Sequence, residues 1–363
     1  MRSKHRGLWS LLALLLTLTL VAAACGDDDD GGDNASGDTS SSDSSGSDLS
    51  NLSGELNASG ATFPDAFYQE VIEKFADKAP DVNITYNAVG SGTGKEQFGQ
   101  GLVDFAGTDS LVKPGDGPAD GSYLYVPTVA APITVSYNLS GVDELQLTPT
   151  TVAGIFQGDI TSWDDDAIKQ DNPDADLPST DITVVHRSDG SGTTSNFTKY
   201  LDAAADNWQL GAGDTVEWPA STQGAEKNTG VAQLINDSDG AIGYVDLSDA
   251  EATGLTFASI QNKDGEYVQP TLEGATAALE GAEIADDLSY NPLNAPGADS
   301  YPITSPTFIL IKTSYDASKG ELVNAFLNYV LTDGQDSAKD VSFAALPDQL
   351  RQRALQQLDK IAG

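Results

Sequence analysis

The chain has 363 residues, with 18 Lys and Arg against 55 Asp and Glu, a formal charge of −37, one Cys and two His. So acidic a composition excludes a broad nucleic-acid face, which needs basic residues to displace counterions from phosphates. One Cys excludes an internal disulfide and a cysteine-rich metal or cluster site, and two His leave little for a histidine metal centre or catalytic triad.

A hydrophobic content of 39% supports a packed core, and the length predicts two domains. The first stretch in chain order is a signal. Arg2, Lys4, His5 and Arg6 precede an apolar run over 8–24 that ends in Val21-Ala22-Ala23-Ala24. A basic start, an apolar centre and small residues at the end predict a secretory signal peptide over 1–24, removed on export. The run falls just short of the ~20 apolar residues that a spanning helix needs.

Cys25 follows directly, and its placement resembles the lipobox of bacterial lipoproteins. That resemblance implies that Cys25 carries lipid (palmitate among the acyl groups) and anchors the chain to the outer face of the bacterial cell membrane. Ala22 stands where the lipobox usually has a larger apolar residue, and plain cleavage leaving a free thiol is the alternative. Residues 25–54 form an Asp/Gly/Ser tether, too poor in apolar side chains to offset the entropy of ordering it.

From Leu56 the chain alternates strand-like and helix-like segments, which predicts an α/β fold. Three junctions pair Gly and hydroxyl residues with a helix start. Ser59-Gly60-Ala61-Thr62-Phe63-Pro64 precedes Phe67, Val71, Ile72 and Phe75 at helical spacing, with Pro80 as the stop. A predicted strand over 82–89 leads into Gly90-Ser91-Gly92-Thr93-Gly94-Lys95. Another over 182–185 leads into His186-Arg187-Ser188-Asp189-Gly190-Ser191-Gly192-Thr193-Thr194, with Phe197, Tyr200 and Leu201 on one face of the next helix.

Such loops suit anion binding. Free N–H groups at a helix start point outward, the helix dipole favours negative charge, and Gly admits close approach. The same residues also make ordinary caps and turns. Nucleotide motifs fail: Gly94-Lys95 has Val89 where a P-loop needs its first Gly, and Lys95 stands at the third Gly position of the dinucleotide fingerprint. Neither Ser91 nor Ser191 sits in a Gly-x-Ser-x-Gly elbow. His186 is expected to point away from the site, and Lys95 to be a surface lysine.

At these residues the chain resembles the phosphate-binding protein of bacterial ABC phosphate transporters. The matching stretches include Gly60-Ala61-Thr62-Phe63-Pro64, Gly90-Ser91, Asp104-Phe105-Ala106-Gly107-Thr108-Asp109 and Arg187-Ser188-Asp189-Gly190-Ser191-Gly192-Thr193. Further matches are Ile160-Thr161-Ser162-Trp163-Asp164-Asp165, Gly240-Ala241-Ile242-Gly243-Tyr244-Val245 and Leu346-Pro347-Asp348. They cover nearly all of the chain beyond residue 55.

The resemblance implies a two-lobed, type II periplasmic-binding-protein-like α/β fold with a hinge and a ligand cleft. Lobe 1 would combine 55–130 with 301–363, and lobe 2 would be 131–300. Pro127 and Pro132 would bracket one crossing and 291–300 the return, with a strand over 307–312. Leu350, Leu355, Leu358 and Ile361 would line one face of a terminal helix. Carried over by position, Thr62, Phe63, Ser91, Arg187, Ser191, Gly192 and Thr193 would bind the phosphate. Asp109 would accept a hydrogen bond from the ligand's own proton, and Asp189 would brace Arg187.

The implied function is capture of inorganic phosphate outside the cell and delivery to ABC permease subunits by a monomer, with no bond made or broken. No cofactor or metal is implied. The same loops leave open another tetrahedral oxyanion (sulfate, molybdate or a phosphonate), and an exported sensor, scavenger or phosphatase.

Overall fold

The computed structural model describes residues 49–361. The signal, Cys25 and the tether as far as residue 48 lie outside the described residues. A 3-10 turn over Leu49–Asn51 comes first, and the first strand starts at Ser53, inside the stretch expected to be tether.

The leading unit is β1 (Ser53–Gly60), α1 (Asp65–Lys78), β2 (Asp81–Ala88), α2 (Ser91–Gly99) and β3 (Phe105–Thr108). The long β4 (Tyr123–Asn138) crosses to the next unit. There β5 (Gln146–Leu147), α3 (Pro149–Phe156) and α4 (Asp166–Asp171) precede β6 (Thr183–Arg187), α5 (Gly192–Ala204), β7 (Gln223–Ala225), α6 (Lys227–Asn236), β8 (Ala241–Asp246) and α7 (Leu247–Thr253). Three short strands follow, β9 (Thr256–Phe257), β10 (Ser259–Gln261) and β11 (Tyr267–Val268), then α8 (Leu272–Glu280). The chain returns through β12 (Thr304–Lys312) to α9 (Ala317–Leu331), β13 (Ala344–Ala345) and α10 (Asp348–Leu358).

The main sheet has the order β2-β1-β3-β12-β4-β8-β6-β7. Parallel pairs lie at both ends, and antiparallel pairing through β12 and β4 joins them. β4 pairs with β12 from Tyr123 to Pro132 and with β8 from Ile133 to Asn138, so it changes partner at Pro132. Proline lacks the N–H that a central strand needs on both edges, so such a switch is where a strand tolerates one. The expected two-lobed α/β class is the observed one, and the predicted crossing at Pro127 and Pro132 is β4.

Local sequence accounts for the elements. Phe67, Val71 and Phe75 form the buried face of α1, and Phe67 and Phe63 pack on Phe343 with ring centroids 6.2 and 5.7 Å apart. Pro64 occupies the cap position just before α1. β12 is buried from Thr304 to Ile311, as expected of a strand covered on both faces. Leu350 and Leu358 bury one side of α10, with Leu355 partly covered. Trp163 is fully buried and its indole donates to the Gly240 carbonyl at 3.0 Å, while Asp165 caps α4. Trp163, Asp165 and Gly240 of the two motif stretches therefore serve packing and capping.

Candidate functional site

The loops before α1, α2 and α5 converge where β4 and β12 cross between the two halves of the sheet. Gly90 has φ +92 and Gly60 φ +149, conformations that L residues avoid. A Cβ on Gly60 would meet the Gly107 carbonyl oxygen at 2.1 Å, so β1 and β3 can close together only without one. Ser191 caps α5, its hydroxyl accepting from the Thr194 N–H at 3.1 Å. The first-turn N–H groups of α2 and α5 have no acceptor within their own helices, and both helix starts face the cleft.

Arg187 ends β6 and is 3% exposed. Its Nε and Nη2 donate to the two oxygens of Asp189 at 2.7 and 2.5 Å. Its Nη1 donates to Thr62 Oγ1 at 3.1 Å, across the cleft, and to Asn228 Oδ1 at 2.5 Å. Burial alone would raise the Asp189 carboxyl, but hydrogen bonds and charge from Arg187 hold it below the usual carboxylate range.

Asn228, in the first turn of α6, is fully buried; its amide donates to Thr193 Oγ1 at 3.2 Å and Asp246 Oδ2 at 2.7 Å. Tyr244 on β8 supports the same region, its hydroxyl accepting from the Arg187 N–H at 3.2 Å and lying 2.6 Å from Thr194 Oγ1.

On the opposite wall, Asp109 follows β3 and is 2% exposed. Its Oδ1 accepts from Thr307 Oγ1 at 2.7 Å and its Oδ2 from Ser91 Oγ at 3.3 Å. Burial pushes its carboxyl up to about 7, against the lowering influence of Thr307, Arg187 and Ser91. Gly192 presses against this wall: a Cβ there would meet Ser91 Oγ at 2.6 Å and Asp109 Cβ at 2.7 Å. Asn196 of α5 also crosses over, donating to the Asp109 carbonyl at 2.6 Å.

All the residues predicted from sequence for the site thus lie in one place. Thr62, Arg187, Asp189 and Thr193 join one hydrogen-bonded group, and Ser91 and Asp109 join another. Phe63 and Gly192 are buried against them, and Ser191 caps the helix that carries Gly192 and Thr193. Sequence reasoning missed Asn228, Thr307, Asn196 and Tyr244, which lie outside the Gly-rich loops.

His186 does turn away, its ring stacked on Trp218 at 4.9 Å, and burial lowers its pKa. Lys95 corrects the expectation of a surface lysine. It is 1% exposed, with Nζ within hydrogen-bond reach of Ser110, Asp116 and Asp214.

At the cleft mouth a cavity of about 230 Å³ is lined by Thr62, Asp65, Lys227, Asp246 and Asp249 among others. Asp65 accepts there from Gln69 Nε2 at 2.9 Å. Burial, and the Asp246 charge beside it, push the Asp249 carboxyl well above its ordinary value. Among the described residues no group of three His, Cys, Asp or Glu could hold a metal ion. No described helix is long and apolar enough to cross a membrane.

This arrangement suits a small anion bearing one proton. Arg187 and two helix starts supply positive potential, hydroxyls and N–H groups donate, and the Asp109 carboxylate accepts.

A family model described as a PBP superfamily domain matches residues 35–334. The phosphate-binding protein PstS of Methanocaldococcus jannaschii is 36% identical over 77% of this chain and 79% of its own. Phosphate-binding protein PstS 2 of Mycobacterium tuberculosis is 35% identical over 93% of this chain and 94% of its own. Among solved structures, the phosphate-binding protein of Stenotrophomonas maltophilia superposes with a TM-score of 0.63 at 23% identity. It covers 84% of this chain and 94% of its own.

Proposed function

Since the chain belongs to the phosphate-binding proteins of the PBP superfamily, we propose that its cleft holds inorganic phosphate between Arg187 and Asp109. The protein is an exported binding protein rather than an enzyme. It captures phosphate and delivers it to the permease of an ABC transporter.

The observation that carries the site assignment is a buried arginine held on one wall, with a buried carboxylate on the other. In this reading Arg187 donates to phosphate oxygens, and Thr62, Phe63, Ser91, Ser191, Gly192 and Thr193 add N–H and hydroxyl donors. Burying a charged anion is costly unless its oxygens are so satisfied. Asp109 accepts a hydrogen bond from the protonated phosphate oxygen. Sulfate, with no proton to give at neutral pH, would set its oxygen against the carboxylate oxygens, an unpaired contact that costs affinity.

Residues 55–130 with 301–363 form one lobe and 131–300 the other, and they close about β4 and β12. Closure buries the anion and presents a distinct surface to the permease. Cys25 carries the lipid that holds the protein, a monomer, at the outer face of the membrane, and the acidic stretch after it serves as the tether.

Phosphate uptake at limiting concentration tests the delivery role. Cells lacking the chain should take up phosphate slowly, and the wild-type chain should restore the rate while Arg187→Ala does not. Equal uptake with and without the chain would overturn it. For the anchor, Cys25→Ala should release the protein from membranes into the medium.

A further inference from the structure

The phosphate walls leave one buried charge unused. Lys95 lies one turn into α2, which carries Ser91 at its start. Its Nζ donates to Ser110 Oγ at 3.1 Å and pairs with Asp116 Oδ2 at 3.3 Å, both from the chain before the β4 crossing. Its shortest contact, 2.8 Å, goes to Asp214 Oδ2, in the connection between α5 and β7 beyond that crossing. Ser110 Oγ donates to the same Asp214 oxygen at 2.9 Å. Asp214 Oδ1 is buried with no hydrogen-bond partner among the described residues, so this carboxylate depends on groups from the other half of the sheet.

Asp214 is also tied to the anion loop, because its carbonyl accepts from the Ser191 N–H at 2.9 Å. The Gly92 N–H donates to the Gly190 carbonyl at 3.0 Å, a further bond between the loops before α2 and α5.

We infer that Lys95 and Asp214 form an interlobe latch, a pair of positioning residues that holds the cleft shut around bound phosphate. The inference rests on the proposed phosphate reading. Opening the cleft separates the pair. Lys95 keeps Asp116 and Ser110, whereas Asp214 loses its buried partners and returns to water. Closing desolvates both charges, and that cost is recovered only when the pair forms with its supporting hydrogen bonds. The latch therefore makes closure depend on one alignment of α2 against the loop that positions Ser191, and its strength sets how long phosphate stays.

The test uses the full chain with Asp214→Asn, Lys95→Met, the double variant and the milder Ser110→Ala. Phosphate association and dissociation are measured by stopped flow. Each single charge variant should speed dissociation about 10-fold or more, with association changed by less than about 3-fold. The double variant should be no worse than the singles added, because the two residues act on one contact. Ser110→Ala, which leaves no charge unpaired, should speed dissociation less, and keeps the test open if a charge variant fails to fold.

Asp214→Asn separates the latch from a plain charge effect: if Lys95 acted on the anion only through its field, removing this nearby acid would tighten binding. Normal or tighter binding by Asp214→Asn overturns the latch. Spin-label distances across the cleft, without and with phosphate, supply a readout that needs no binding. Asp214→Asn should shift the population towards the open separation, and an unchanged distribution would contradict the inference. Failure of the wild type to bind phosphate would instead count against the phosphate reading.

Discussion

Asp189 grips Arg187 with both carboxylate oxygens, at 2.7 and 2.5 Å, which fixes the guanidinium plane and leaves Nη1 facing Thr62 and Asn228. Asp189→Asn should keep the fold but free the arginine to rotate, lowering phosphate affinity about 10- to 100-fold. Arg187→Lys should lose at least as much, because an ammonium cannot hold two parallel bonds to Asp189 and still reach Thr62. Calorimetry on both variants checks the order.

Gly192 has no room for a side chain, since a Cβ would lie 2.6 Å from Ser91 Oγ and 2.7 Å from Asp109 Cβ. Gly192→Ala should therefore hold the two walls apart, at a cost of about 1–3 kcal/mol in the closed form, or roughly 5- to 150-fold in affinity. The unliganded thermal midpoint should fall less than the affinity does. An affinity equal to wild type would mean that the walls need not meet this closely.

Asp109 titrates near neutrality, so its role as acceptor is pH-dependent. Above about pH 7 it is a carboxylate and repels sulfate; below that it carries a proton and can donate to a sulfate oxygen. Sulfate should compete poorly with phosphate at about pH 8.5 and better at about pH 5.5. Asp109→Asn should flatten this dependence, which competition binding across the range would reveal.

The same raised acids make the unliganded fold pH-sensitive. Asp109 and Asp249 have folded values above their unfolded ones, so the folded state binds more protons and their contribution to stability is lost as pH rises. For Asp109 the loss runs from its unfolded value of 3.8 to its folded value of about 7. The expected stability, read as the midpoint of thermal unfolding, is thus lower at about pH 8 than at about pH 5.5, and Asp109, with a folded value of about 7, accounts for at most about 2 kcal/mol of that difference, which Asp109→Asn should remove. A midpoint difference unchanged in that variant would contradict it.

Much of this molecule is legible in the sequence because loops that start helices are local features. Gly60, Gly90 and Gly192 with their neighbouring hydroxyls mark backbone conformations and caps, and the resemblance supplies roles for the side chains beside them. Asn228, Thr307 and Asn196 carry no such signal: each is an ordinary polar residue in an element, brought to the site only by β12, α6 and α5 packing together. Lys95 misleads for a related reason. A lysine in a short helix reads as solvent-facing, and its half-buried partner Asp214 comes from the other side of the crossing, 119 positions along the chain. The crossing itself was visible through Pro127 and Pro132, but the change of partner at Pro132 depends on how β12 and β8 share β4.

The central claim is that this cleft binds phosphate through Arg187 and rejects sulfate through Asp109. Titration calorimetry of the soluble chain lacking residues 1–25, with phosphate and sulfate in parallel at about pH 8, addresses it most directly. The account predicts tight binding of one phosphate per chain, sulfate weaker by roughly a thousandfold or more, and loss of tight phosphate binding in Arg187→Ala. Sulfate binding as tightly as phosphate, or normal phosphate binding by Arg187→Ala, would contradict it.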